Sequence, residues 1–136
     1  MRRAAFERLV QQALATIPAK FRENIHNLAI IVEDEPDDQL LNDMEVPEDE
    51  TLFGLYHGVP LTERRWDDGN RLPDRITLFQ GPLERSAEDD DDLVTAIGET
   101  LIHEIGHYFG FDEDALEEIE DNYWHARNPG EGEDEE

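Results

Sequence analysis

The stretch ETLIHEIGHYFGFDEDALEE, residues 99–118, carries two of the chain's five histidines four residues apart, with Glu104 directly after the first. Val94, Ile97, Leu101, Ile105 and Tyr108 recur at helical spacing through and ahead of it, which predicts a helix from about Asp90 to Phe109 with one apolar stripe for docking. The acids of SAEDDDD stand where a helix N-terminus stabilises negative charge. Gly110 follows the last periodic residue, in the place of a left-handed C-terminal cap.

On a helix advancing about 100° per residue, His103 and His107 project within about 40° of each other, one turn apart. Both imidazoles can then reach one ion at roughly 2.0 to 2.1 Å. Glu104 lies about 100° round from His103, beside such an ion, where it suits a base that takes a proton from water. Ala96 and Thr100, on the histidine side, leave room above the helix. The alternative is that these are ordinary polar positions on a surface helix. Against that stand the strong periodicity, the glycine directly after the motif, and the carboxylates that follow it.

Two histidines leave zinc under-coordinated, because catalytic sites use three protein ligands and a water. If Gly110 reverses the chain, Asp112, Glu113, Asp114 and Glu117 come within reach. Spacing favours Glu113, ten residues after His103 as in HExxHxxGxxH, while Asp112 has a competing role as the N-cap of a final helix from about Asp112 to Trp124. The chain has no cysteine, so thiolate ligands, disulfides and cysteine nucleophiles are all excluded.

Outward from the motif, Phe6, Leu9, Val10, Ala13, Leu14 and Ile17 predict an amphipathic helix that Pro18 stops, with Phe21 and Ile25 packing in a short connection. Residues 28–32, LAIIV, read as a buried strand. The acidic stretch 33–50 reads as a surface loop with a helical turn over 39–44. Residues 51–58, TLFGLYHG, predict a second strand in which Gly54 marks a bulge or a close backbone approach. Asp68-Gly69 reads as a turn, and residues 75–81, RITLFQG, as a third strand closed by Gly81-Pro82. One domain over residues 1–125 is expected, followed by an acidic, disordered tail over 126–136.

The chain holds 36 acids against 11 Lys and Arg, a formal charge of -25. Nucleic acid and anionic membrane surfaces are therefore not expected as partners, since phosphate contacts need a basic face. Most of the acids read as a solvated, self-repelling surface; a negative field that favours cations and basic peptides near the site is the sharper reading. The start, MRRAAFERLVQQAL, lacks an uninterrupted apolar run, and no window reaches the length of a membrane span, so a cytoplasmic location is expected. Phe53 and Leu55, if exposed on their strand, allow a homodimer. His26 and His125 have no companions at ligand spacing and read as solvent-facing.

HEIGHYFGFDEDAL, together with IIVEDEP, LFGLYHGVPLTER and ITLFQGPLER, resembles the small bacterial zincin-like metallopeptidases, or mini-zincins, over about residues 6–120. The resemblance implies an α+β fold: a minimal zincin-like domain with a short mixed β-sheet packed on an N-terminal helix and an active-site helix. It implies a zinc-dependent metallopeptidase of the HExxHxxGxxD type acting on a peptide or protein substrate. His103 and His107 would be ligands of Zn2+, Glu104 the catalytic base and Gly110 the turn. The third-ligand position falls on Glu113, where this chain departs from the aspartate pattern, so either the turn adjusts or Asp112 or Asp114 binds instead. Tyr56, His57, Tyr108 and Tyr123 are candidates to bind peptide backbone or steady an oxyanion, and each also reads as an ordinary core or surface residue. The other functional reading is a non-catalytic module that keeps the zincin scaffold for metal or protein binding.

Overall fold

The computed structural model describes residues 1–25, 27–58, 60 and 74–128. Nine elements follow one another: α1 (Arg3–Thr16), α2 (Ala19–Arg22), β1 (Leu28–Glu33), α3 (Asp38–Asp43), β2 (Gly54–His57), β3 (Asp74–Phe79), α4 (Gln80–Ser86), α5 (Asp90–Phe109) and α6 (Glu113–Arg127). The architecture is α+β, with helices packed around a small mixed sheet.

The sheet has the order β1-β3-β2, with β1 parallel and β2 antiparallel to the central β3. β3 is the most buried strand, as a central position requires. Its Ile76 and Leu78 enter the main core, where Phe6 and Val10 of α1 and Ile97 and Leu101 of α5 meet them. On β1, Leu28, Ile30 and Val32 are half-buried against that core and alternate with exposed Ala29, Ile31 and Glu33, the two-residue period of a strand with one covered face. The periodic stripe expected of the long helix is the buried one: Val94, Ile97, Leu101, Ile105 and Tyr108 are all at most 5% exposed.

Caps at the helix ends and glycines along α5 set α5 and α6 side by side. The Asp89 side chain accepts from the Asp92 N–H at 2.8 Å and caps α5. At the other end Gly110 adopts φ 81° and ψ 25°, and the Phe111 N–H bonds back to the Gly106 carbonyl at 2.9 Å, which satisfies carbonyls the helix leaves open. Asp112 then caps α6 by accepting from the Ala115 N–H at 2.9 Å. The chain therefore turns within three residues. Gly106 and Gly98 of α5 let Leu116 and Tyr123 of α6 come close, since an added methyl would lie 1.8 Å from Leu116 Cδ2 or 1.9 Å from Tyr123 Oη.

Some elements differ from the sequence reading. β2 is limited to residues 54–57, with only the Phe53 carbonyl continuing the ladder to the Phe79 N–H. A short helix, α4, occupies residues 80–86 where Gly81-Pro82 suggests a plain turn. Pro82 fits there because the first N–H groups of a helix have no intrahelical acceptor to lose. α6 continues to Arg127, past the expected domain boundary at 125. The Asp68-Gly69 turn, His26 and residues 129–136 of the acidic tail lie outside the described residues. Among the described residues, no helix is long and apolar enough to cross a membrane.

Candidate metal centre

His103 and His107 lie on α5 with Nε2 of one 3.1 Å from Nε2 of the other, their rings tilted 80°. Two nitrogens bound to one tetrahedral zinc at 2.0 to 2.1 Å are separated by about 3.3 to 3.4 Å. The observed pair is within a few tenths of an ångström of that spacing, so the two imidazoles fit one ion with little movement. Glu104 joins them, and ligand atoms of all three residues lie within 4.8 Å of one another. Nitrogen and oxygen donors are also the set that zinc takes in the absence of thiolates.

Glu104 is 9% exposed, and its Oε1 accepts a 2.9 Å hydrogen bond from the backbone N–H of Tyr56 on β2. Burial pushes its carboxyl above the usual range, against the pull of charge on His103 and His107 and of the Tyr56 N–H. A carboxylate held in this way binds a proton more readily than an exposed one, as a base working near neutral pH requires.

His103 and Glu104 line a cleft of about 300 Å³ between β2 and the α5–α6 pair. Leu52, Phe53 and Gly54 line it on the strand side, and Glu99 and Glu120 on the helix side. Gly54 makes the close approach anticipated for it: a Cβ there would sit 2.6 Å from Thr100 Cγ2, so a larger residue would push β2 off the helix. Glu99 is also raised, by burial first and then by the neighbouring charge of Glu120.

Residues 25–123 match the model of a family described as zincin-like metallopeptidase. The chain belongs to that family. No curated protein matches it. Among solved structures it is similar to a conserved hypothetical protein from T. thermophilus, at 22% identity over 79% of this chain and 92% of that one, with a TM-score of 0.52. That likeness shows a shared fold.

Within this zincin-like domain, three of the four site residues expected from the sequence are together: His103, Glu104 and His107. The fourth, Glu113, is exposed on the first turn of α6 and is not part of that group among the described residues. Asp112 is engaged as the helix cap, and Asp114 is exposed.

The carboxylate that does reach the pair is Glu120, whose Oε1 lies 3.1 Å from His103 Nδ1. Sequence reasoning passed over it because its position depends on how α6 docks. A signal was nonetheless present. Gly98 and Gly106 are eight residues apart on one helix, Leu116 and Tyr123 seven apart on the next, and pairing the two sets antiparallel brings residues 118–119 level with residue 103, next to Glu120.

The remaining candidates lie elsewhere. The Tyr56 phenol donates to the buried Asp74 carboxylate at 2.6 Å. Tyr108 is fully buried, edge-on to Tyr56. Tyr123 shares a 2.8 Å hydrogen bond with Thr16. His57 is exposed beside Arg75, with its pKa lowered by burial and then by that guanidinium. His125 is exposed and packs on Trp124. Phe53 is 42% exposed and Leu55 is half-buried.

Proposed function

We propose that the protein is a zinc-dependent metallopeptidase that hydrolyses peptide bonds at the mouth of this cleft. The observation that carries the reading is the convergence of the His103 and His107 Nε2 atoms at 3.1 Å, with the Glu104 carboxylate in the same cluster.

His103 and His107 would hold the ion through Nε2, and Glu113, at the family's third-ligand position, would be the third protein ligand. Bound zinc supplies Lewis acidity, which polarises a scissile carbonyl and acidifies water. Glu104 takes the proton of the attacking water and delivers it to the departing amine, a transfer that its raised proton affinity favours. The Tyr56 N–H keeps that carboxylate pointed at the cleft instead of at solvent. The cleft admits an extended peptide between β2 and the helices, and its acidic helix side suits a cation-bearing substrate better than an acidic one.

Zinc titration followed by calorimetry and a broad peptide-library digest tests this reading. One zinc per chain is expected, with cleavage that Glu104→Gln lowers by roughly 10²- to 10⁴-fold while zinc stoichiometry is unchanged. A wild-type protein that takes up one zinc and leaves the whole library uncut would sink the peptidase assignment.

A further inference from the structure

We infer that Glu120 is a positioning residue that fixes the tautomer and ring orientation of His103, so that Nε2 is presented as a lone pair toward the metal position. This rests on the metal-centre reading above. The imidazole of His103 has two nitrogens with different neighbours: Nδ1 faces Glu120 Oε1 at 3.1 Å, and Nε2 faces His107 Nε2 at 3.1 Å. An ionised carboxylate only accepts, so in a neutral ring the proton belongs on Nδ1. Nε2 is then left as an acceptor, and the His107 Nε2–H supplies the proton between the two rings. For an ion to be held by both Nε2 atoms, His107 would carry its proton on Nδ1 instead, while His103 already presents its lone pair.

The same geometry separates Glu120 from a metal ligand. A carboxylate on Nδ1 stands on the far side of the ring from Nε2, the arrangement in which a ligating histidine donates its other N–H to a carboxylate. Glu120 is held there by the docking of α6 on α5, through Leu116 on Gly106 and Tyr123 on Gly98. Residues 113–127 therefore do more than close the fold, because their register along α5 decides whether His103 is oriented. Both side chains are about one-third exposed, so the contact is no buried ion pair and its main effect is directional.

Three variants, Glu120→Leu, Glu120→Ala and Glu120→Gln, test the inference with zinc alone as the probe and without any peptidase assay. Imidazole ¹⁵N shifts of metal-free wild-type protein should show His103 as the Nδ1–H tautomer, and Glu120→Leu should mix the tautomers. Zinc affinity should fall by roughly 10- to 100-fold in Glu120→Leu. Glu120→Gln, which keeps an acceptor and loses the charge, should recover most of that loss. If Glu120→Leu does not fold, Glu120→Ala replaces it in the comparison. Unchanged affinity in the apolar variant overturns the inference, as does an Nε2–H tautomer in the wild type. So does a Gln variant as weak as the apolar one, since a ligand needs the charge and an orienting group needs only the acceptor. A wild-type protein with no zinc uptake would overturn the metal-centre reading and this inference with it, an outcome distinct from tight zinc binding that ignores Glu120.

Discussion

The backbone N–H of Tyr56 donates to Glu104 Oε1 at 2.9 Å, so the edge of the sheet holds the Glu104 carboxylate through a group that no substitution short of proline removes. The phenol of the same residue points elsewhere, to Asp74 Oδ2 at 2.6 Å. One residue thus contributes its main chain to the site and its side chain to the core.

That division predicts the behaviour of Tyr56→Phe. Asp74 is 2% exposed and loses one donor, which costs about 1 to 3 kcal/mol of stability. The bond to Glu104 is untouched, so kcat of the zinc-loaded protein should stay within a few-fold of wild type. Thermal denaturation and steady-state kinetics on the same preparation check both halves. A hundred-fold fall in kcat at full zinc occupancy would show instead that the phenol reaches the reacting carbonyl.

The parts of this molecule that could be read from the sequence are those set by neighbours along the chain. α5 follows from its apolar period, its acidic first turn and Gly110; the cap at Asp112 follows from a single polar residue before a helix. His103 and His107 are fixed by the geometry of one helix, so their convergence could be anticipated. Glu120 could not be reached in the same way, because its distance from His103 is set by the packing of two helices and by glycines whose purpose shows only when the second helix is in place. α4 escaped for a different reason: Gly81-Pro82 carries a strong turn signal, yet those residues stand where a helix start makes no demand for an N–H.

Glu99 provides a test of the electrostatics of the cleft. Burial, and then the charge of Glu120, raise its carboxyl above the value it has in the unfolded chain. The folded state therefore binds the proton more tightly. The stability this contributes is fully present below the unfolded pKa of about 4.3 and is lost as pH rises through the higher folded value. Once ionised, the group works against the fold. Glu99→Gln removes the titration, so its melting temperature should exceed that of wild type by roughly 1 to 3 °C at pH 7 to 8, with the difference closing toward pH 4. A difference that is constant across this range would mean that Glu99 is as well solvated folded as unfolded.

The close approach of α5 and α6 makes Gly106 a sensitive point. Alanine is favoured over glycine inside a helix by about 1 kcal/mol, so at an open position Gly106→Ala would stabilise the protein. Here the new methyl would lie 1.8 Å from Leu116 Cδ2, and Leu116 is 1% exposed, so both cannot keep their places in the core. Overpacking of this kind costs about 1 to 3 kcal/mol, more than the helix gains, so Gly106→Ala should lower the melting temperature. Leu116→Ala alone opens a cavity at a cost of about 2 to 5 kcal/mol, but it also clears the space the methyl needs. The double variant should therefore lose less than the sum of the two single losses, which a double-mutant cycle from denaturant titrations measures directly. Strict additivity would mean that the helices separate freely at this point. Tyr123 on Gly98, Arg127 on Asp91 and the turn from Gly110 to Asp112 would then keep α6, and Glu120 with it, in register with His103.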